Sequence, residues 1–206
     1  MAEHSLKEQR REHRRALSRN QILDAAEQVF ARDGFHDAAL REIAELSEFS
    51  VGAVYSFFAG KEDIYQAIFL RRAAEFMPGM QDVLSSDAAP LRQLLDLAAW
   101  QVSFFRRYPH FGRLVLREGA IAPPLTTPAQ DVQIQQNFAT AQDAQADLFR
   151  RGQQAGDLRQ GAPAVLARMF SGLVSAFQAA ELNAGPSAPL RLEDLLGVVE
   201  AAFAAR

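Results

Sequence analysis

The spacing of apolar residues is helical along most of the chain. Apolar side chains recur three and four positions apart, and no stretch shows the strict alternation of apolar and polar residues that is typical of a half-buried strand. The pattern therefore predicts an all-α protein. The predicted helices span residues 18–33, 40–46, 51–58, 61–76, 90–108, 110–119, 128–151, 163–182 and 191–203.

Residues 40–58 predict two short helices joined by a tight turn. The apolar positions on the packed faces of these helices are Leu40, Ile43, Ala44, Leu46, Val54, Phe57 and Phe58. The polar segment 47–49 interrupts the first helix, and the hydroxyl of Ser50 can cap the second. This arrangement is a helix-turn-helix, whose second helix can enter the major groove of DNA.

A set of residues between Asn20 and Phe69 carries a family resemblance. The matching residues are Ile22, Leu23, Asp24, Ala25, Ala26, Phe30, Gly34, Phe35, Leu40, Arg41, Glu42, Ile43, Ala44, Ser50, Gly52, Ala53, Val54, Tyr55, Phe58, Lys61 and Glu62. In this order they resemble the DNA-binding domain of the tetracycline-repressor (TetR) family of bacterial regulators. The resemblance implies an N-terminal helix-turn-helix domain followed by a larger helical domain that binds a ligand and forms a dimer.

The chain also departs from the family pattern. Family members usually carry Thr or Ser where this chain has Ala38 and Ala39, and glycine in the turn where it has Glu48. A left-handed backbone at Glu48 would cost about 1 kcal/mol more than at glycine. Val51 stands where a polar residue is frequent, so we expect any base reading there to use apolar contact with a thymine methyl group.

Charge is distributed unevenly along the chain. The net charge is −3, but the first 20 residues hold six basic and three acidic side chains. Such an arginine-rich segment can bind phosphates or enter the minor groove. The sequence leaves open whether this segment is a mobile arm or a frayed extension of the first helix, and whether it binds DNA or is a solvated tail with no role.

The residues predicted to contact DNA come from the reading helix, its surroundings and the basic segment. Lys61 lies beside a helix N-terminus, where a phosphate is readily bound, and the Tyr55 hydroxyl is a second candidate. The full set is Arg14, Arg15, Arg41, Ser50, Val51, Gly52, Ala53, Tyr55, Ser56 and Lys61.

The last two predicted helices are apolar on more than one face. A helix that is apolar on two sides must be covered on two sides, so two copies of the chain could form a four-helix interface about a two-fold axis. The alternative is a helix at the centre of a single domain. The predicted interface residues are Leu173, Ala176, Phe177, Leu195, Val199 and Phe203.

Many of the aromatic residues lie in the predicted second domain, residues 63–206. Pockets commonly form between the helices of a bundle, and the resemblance implies one for a small apolar or amphipathic effector; ordinary core packing is the alternative. The predicted lining residues are Trp100, Phe104, Phe105, Tyr108, His110, Phe111, Phe138 and Phe170.

Several functional classes are disfavoured by the sequence. The chain has no cysteine, its four histidines lack metal-ligand spacing, and it has neither a glycine-rich phosphate loop nor a nucleophile elbow. We therefore expect neither an enzyme nor a metal or cofactor site. The N-terminus lacks the apolar core of a signal peptide and no apolar run approaches 18 residues, so we expect a cytoplasmic protein without a membrane partner.

These observations predict a basic flexible arm (1–16), a DNA-binding domain (17–62, with the helix-turn-helix at about 40–59) and a ligand-binding and dimerisation domain (63–206). The predicted function is that of a homodimeric repressor, released from a palindromic double-stranded DNA operator by a small-molecule effector. Two alternatives remain open: a DNA-binding protein without an effector, and a helical interaction module that has lost DNA binding.

Overall fold

The computed structural model describes residues 2–117, 132–184 and 190–205. Within these ranges the secondary structure is helical apart from one isolated backbone bridge, between Leu158 and Ala204, which confirms the all-α prediction. The helices are α1 (Ala2–Asp33), α2 (Leu40–Leu46), α3 (Val51–Tyr55), α4 (Lys61–Leu84), α5 (Pro90–Arg107), α6 (Pro109–Arg117), α7 (Val132–Ala155), α8 (Pro163–Ala184) and α9 (Leu192–Phe203). The predicted end of helix 110–119 and start of helix 128–151 lie outside the described residues.

The packing divides the chain into two compact units, residues 1–69 and 70–206. We call them the first unit and the second unit. Helix α4 begins in the first and ends in the second. The functional domains predicted from the sequence, residues 1–16, 17–62 and 63–206, remain predictions.

Helix α1 begins much earlier than the sequence pattern predicted. Residues 2–16, for which the sequence left both an arm and an extension of the first helix open, form the first part of the helix, whose main body was expected to begin at Ser18. The segment contains many good helix formers and neither glycine nor proline, so the helix continues although few of its residues are apolar. Gly34, with a φ of 85°, ends α1 in a left-handed conformation that suits glycine.

The core of the first unit is built around aromatic rings. The Tyr65 ring lies 5.2 Å from the rings of both Phe30 and Phe35, in edge-to-face geometry. Ile43 and Ala44 of α2 are buried as predicted, but Leu46 is 49% exposed. The prediction for Leu46 was wrong because it lies two residues after Ala44, about 200° around the helix, on the opposite face.

Helix α4 continues beyond its predicted end at residue 76. Pro78 lies within the helix, which continues to Leu84. Gly79 serves packing rather than termination, since a Cβ atom there would lie 2.7 Å from Cζ2 of Trp100. The close approach of an indole ring therefore explains the glycine.

Helices α5, α7, α8 and α9 surround the core of the second unit. The Phe203 ring lies 5.2 Å from Phe149 and 6.2 Å from Phe170, which joins α7, α8 and α9. None of the described helices combines the length and apolar character that crossing a bilayer would require.

Candidate functional site

The turn of the helix-turn-helix is held by its own hydrogen bonds. Glu48 has a φ of 60°, the left-handed conformation that the sequence predicted at this position. Ser47 is buried, and its hydroxyl donates to the carbonyl oxygens of Ile43 (2.7 Å) and Ala44 (3.1 Å). The side chain of Gln21 in α1 donates to the Ser47 carbonyl at 3.0 Å. These bonds fix the direction in which the chain enters α3.

Helix α3 presents small and apolar groups on its exposed side. The Ser50 hydroxyl accepts a hydrogen bond from the Ala53 amide at 3.1 Å, which confirms the predicted cap and leaves the hydroxyl proton available to a partner. Val51 is exposed and Tyr55 is 56% exposed, whereas Val54 is buried. A Cβ atom on Gly52 would meet nothing within 4 Å, so internal packing does not require glycine there. This face can therefore approach a partner closely.

Helix α3 is shorter than predicted, ending at Tyr55 rather than at residue 58. The Ser56 hydroxyl donates to the Ala53 carbonyl at 2.6 Å and closes the last turn, so its single proton is already used. Phe58 is buried as predicted, and the half-buried Phe57 packs against Phe49 at 6.2 Å.

Lys61 has a structural role that the sequence did not reveal. Its ammonium group donates to the carbonyl oxygens of His36 (2.9 Å) and Ala38 (3.0 Å) and lies 4.8 Å from the centre of the Phe35 ring. Two of its three donors are thus used to hold the segment between α1 and α2. Its predicted contact with a phosphate stays a prediction and depends on the remaining donor.

Basic residues of α1 lie against the segment that follows α3. The guanidinium of Arg19 lies 4.7 Å from the centre of the Phe58 ring, and that of Arg15 lies 5.8 Å from the Phe57 ring. Arg15 also reaches the Ser56 carbonyl at 3.5 Å, at the C-terminal end of α3, where a cation is favourable. Arg14 is exposed.

Arg41 lies on the exposed face of α2. Its guanidinium pairs with Glu45 at 2.8 Å, and the side chain is 83% exposed. The hydrogen bond and negative charge of Glu45 raise the pKa of Arg41 above its usual value, so it remains a cation. Because an exposed pair of this kind is weak, the arginine can exchange its partner for a phosphate.

Five of the eight predicted pocket residues form one aromatic cluster in the second unit. Trp100, Phe104, Phe105, Tyr108 and Phe111 are linked by ring contacts, with centroid separations between 5.0 Å for Phe104–Tyr108 and 6.5 Å for Phe104–Phe111. Phe76, which was not predicted, joins the cluster at 4.7 Å from Trp100. We call these six residues the aromatic cluster.

The other three predicted pocket residues are not part of the aromatic cluster. Phe170 is fully buried against Phe203 in the main core of the second unit. Phe138 is half-buried on α7, and His110 is half-buried in the first turn of α6. That these eight residues line a ligand pocket remains a prediction.

A polar group at the edge of the aromatic cluster was missed. The Tyr108 hydroxyl donates to Glu75 at 2.5 Å, and the Arg72 guanidinium lies 3.7 Å from the centre of the Tyr108 ring. Arg72 also pairs with Glu75 at 3.5 Å. These contacts join α4 to the C-terminal end of α5, and the i, i+3 spacing of Arg72 and Glu75 was the available sequence signal.

Half of the predicted dimer contacts belong to the interior of one chain. Leu195, Val199 and Phe203 are buried in the core of the second unit, so this part of the prediction was wrong. Their spacing defines the inward face of α9, and an apolar stripe does not reveal whether its own chain or a partner covers it. Leu173 and Phe177 are half-buried, and Ala176 is exposed.

The outward faces of α8 and α9 carry other apolar residues. Met169 is 55% exposed, and Val165 and Val198 are similarly exposed. A Cβ atom on Gly197 would meet nothing within 4 Å. The signal for this face was present as the i, i+4 spacing of Val165, Met169 and Leu173 along α8.

Among the residues that the structure describes, no three His, Asp or Glu side chains come together as metal ligands would. Small and apolar side chains characterise the exposed face of α3.

Comparison with known proteins identifies the segment that contains the helix-turn-helix. Residues 22–68 match the family model for bacterial regulatory proteins of the tetR family. The chain is 31% identical over 74 residues to the fatty acid metabolism regulator protein of Bacillus subtilis (strain 168), an alignment that covers 36% of this chain and 38% of that one. It is 25% identical over 189 residues to the HTH-type transcriptional regulator UidR of Escherichia coli (strain K12), covering 91% and 87% of the two chains.

A solved structure shows that the similarity of fold extends over most of the chain. The crystal structure of AibR in complex with isovaleryl coenzyme A and operator DNA superposes with a TM-score of 0.76 at 21% identity. The superposition covers 89% of this chain and 97% of that one. The two proteins therefore share an architecture, although few of their residues are identical.

Proposed function

We propose that the chain is a regulatory protein of the TetR family, whose model matches residues 22–68, and that it represses transcription by binding a palindromic operator until a small effector releases it. One observation carries the proposal: the capped helix α3 presents Val51, Gly52 and Tyr55 on an exposed face that its own unit does not cover. A regulator of this kind acts where the bacterial chromosome lies, so the proposal includes a cytoplasmic location.

In this proposal α3 enters the major groove and its neighbours bind the DNA backbone. Val51 and Ala53 contact base edges, where a thymine methyl group suits an apolar side chain. Tyr55, Arg41 and the proton of Ser50 bind phosphates, which position the helix without reading sequence. Lys61 acts mainly by holding the segment 36–38, and Arg15 by holding the end of α3.

One copy of α3 is five residues long, so a single reading helix would bind weakly. Two copies can bind successive half-sites one helical turn apart. We propose that the outward faces of α8 and α9, with Val165, Met169, Ala176 and Val198, form the contact between the two copies. This replaces the inward residues of α9 that the sequence selected.

The effector is proposed to bind in the second unit beside the aromatic cluster. The AibR structure contains both isovaleryl coenzyme A and operator DNA, which supports a regulator that responds to an apolar or amphipathic compound. Ligand binding in both copies would change the spacing of the two reading helices, and the operator would then dissociate.

The test begins with operator selection from random double-stranded DNA, followed by binding measurements at several salt concentrations. We expect a palindromic site whose affinity falls as salt rises. Arg41→Gln should weaken binding and reduce the slope of log affinity against log salt by about one unit.

Arg92→Gln is the matched control for Arg41→Gln. Arg92 forms the same kind of exposed i, i+4 pair, with Asp96 at 2.9 Å, but it lies in the second unit. It should leave DNA binding unchanged. No selected site, or equal effects of the two substitutions, would favour a helical module without DNA binding. Selected DNA that no apolar compound releases would favour an effector-independent regulator.

A further inference from the structure

Three polar side chains form a hydrogen-bond relay between α7 and α8. The Ser171 hydroxyl donates to Oε1 of Gln145 at 2.9 Å, and Nε2 of Gln142 donates to Ser171 at 3.0 Å. A hydroxyl has one proton, so the bond to Gln145 requires Gln142 to present its NH₂ group to Ser171. Oε1 of Gln142 is consequently left as an acceptor, and it is buried without a partner among the described residues.

A second buried amide, that of Gln178, lies on α8, seven residues after Ser171. Gln178 is 6% exposed, and its Nε2 has no hydrogen-bond partner in the part of the chain that the structure describes. A buried polar group without a partner destabilises a fold because it has lost its hydrogen bonds to water. Such a group therefore requires an explanation.

Gln93, a buried glutamine of the same unit, has hydrogen-bond partners for both amide atoms. It is 1% exposed, and its Nε2 donates to the carbonyl oxygens of Ser86 at 2.6 Å and Leu84 at 3.2 Å. Its Oε1 accepts from Arg151 at 3.2 Å. Both ends of this amide are thus bonded within the chain, whereas Gln142 and Gln178 each have one amide atom without a partner among the described residues.

Gln178 lies at the end of the second unit that carries the aromatic cluster. Three residues later, Glu181 accepts two hydrogen bonds from Arg106, with Nε to Oε1 at 3.0 Å. Arg106 directly follows Phe104 and Phe105 in α5. Ser171 is seven residues before Gln178, or about 10 Å along α8 at 1.5 Å per residue.

We propose that the effector is an uncharged amphipathic molecule whose hydroxyl, carbonyl or amide groups pair with Gln178 and Gln142 while its apolar body lies beside the aromatic cluster. This inference rests on the proposed function and names the chemistry of its effector. Gln178 donates to an oxygen of the ligand, and Gln142 accepts from an O–H or N–H group.

The surrounding charges favour a neutral ligand. Arg106 and Glu181 are paired with each other, as are Arg72 and Glu75. A buried carboxylate on the ligand would have to displace one of these partners or remain unpaired, and either is unfavourable. Amide and hydroxyl groups can hydrogen-bond a neutral head group without that penalty.

The experiment compares four probes of equal chain length on the full-length protein: octanamide, 1-octanol, octanoate and octanoyl coenzyme A. We expect the two neutral probes to raise the Tm and the two charged probes to have little effect. Gln178→Leu should raise the Tm of the ligand-free protein by about 2–4 °C, because it removes an unpaired buried amide. It should also weaken octanamide binding at least about tenfold in calorimetry, the loss of one hydrogen bond in an apolar site.

Gln93→Leu is the matched control, since it removes an amide that is fully bonded. It should lower the Tm of the ligand-free protein and leave octanamide affinity unchanged. Equal or larger shifts with the charged probes, no shift with either neutral probe, or a lower Tm for Gln178→Leu would each overturn the inference. Operator binding without ligand is measured in parallel, so a protein that binds DNA but fails these tests retains its proposed function with a different effector class.

Discussion

The two units use their polar side chains differently. In the first unit, Ser47, Ser56 and Lys61 are hydrogen-bonded to backbone carbonyl groups of the same unit. In the second unit, Gln142 and Gln178 each leave a buried amide atom without a partner among the described residues. These side chains of the first unit thus hold its own backbone, whereas the two amides of the second unit leave hydrogen-bonding capacity that another molecule can use.

The apolar cores of the two units differ in extent. In the first unit, Phe30, Phe35 and Tyr65 close one small core, although α3 and other helices of this unit also expose apolar side chains. In the second unit, four helices surround a larger core, and α8 also exposes Val165 and Met169 on its outer side. We therefore expect the stability of the first unit to depend on a few ring contacts, hydrogen bonds and backbone conformations, and four substitutions alter these one at a time.

The largest effect is expected from Phe58→Ala. Phe58 is buried, and the guanidinium of Arg19 covers its ring at 4.7 Å. Its removal should lower the free energy of unfolding by about 3–5 kcal/mol, as for other large-to-small core substitutions. Urea unfolding followed by circular dichroism measures the change. Leu46→Gln, at an exposed apolar position of the same unit, should change stability by less than about 0.5 kcal/mol. Similar losses for the two would contradict the assigned core.

Lys61→Met should have the second largest effect. It preserves most of the side-chain length but removes the hydrogen bonds to the carbonyl oxygens of His36 and Ala38. We expect a loss of about 1.5–3 kcal/mol, the range for hydrogen bonds to a charged group, measured by the same unfolding experiment. Arg41→Met removes a cation that is largely exposed and should leave the unfolding midpoint nearly unchanged. If Lys61→Met weakens DNA binding without altering stability, the main role of Lys61 is to bind DNA rather than to stabilise the fold.

Ser50→Ala tests the cap of the reading helix. Loss of the hydrogen bond from the Ala53 amide should destabilise the protein by about 1 kcal/mol and weaken operator binding, because α3 has only five residues. Thermal unfolding and fluorescence anisotropy measure the two effects. Ser56→Ala should be milder, since that hydroxyl donates to a carbonyl at the other end of α3. The reverse order would show that the C-terminal end controls this helix.

The smallest change is a gain expected from Glu48→Gly. Glycine adopts the left-handed backbone at this position without the strain of a side chain, which should stabilise the turn by about 0.5–1 kcal/mol after its entropic cost. Glu45→Gly, in the helical part of α2, should instead lose about 1 kcal/mol. A shift of the urea midpoint in the same direction for both variants would indicate that Glu48 is not strained.

Interactions between residues close in sequence explain the features of the first unit that were predicted correctly. The Ser50 cap, the left-handed positions at Gly34 and Glu48, and the buried residues Ile43 and Val54 all follow from contacts within a few residues. The start of the first helix was predicted at Ser18 because the segment before it is poor in apolar residues, although its helix propensity is high. The end of α4 was predicted at residue 76, before Pro78, because a proline in an α-helix is normally unfavourable.

The amino-acid sequence by itself determined the all-α class, the helix-turn-helix and the tight turn within it, because helical periodicity and capping depend on neighbours along the chain. Only the tertiary structure decided that Lys61 holds residues 36–38, that Gly79 makes room for Trp100, and that Leu195, Val199 and Phe203 face the interior of their own chain. The physical reason is that an apolar stripe or a cationic side chain specifies what it needs as a partner, whereas the packing of distant segments decides which partner it meets.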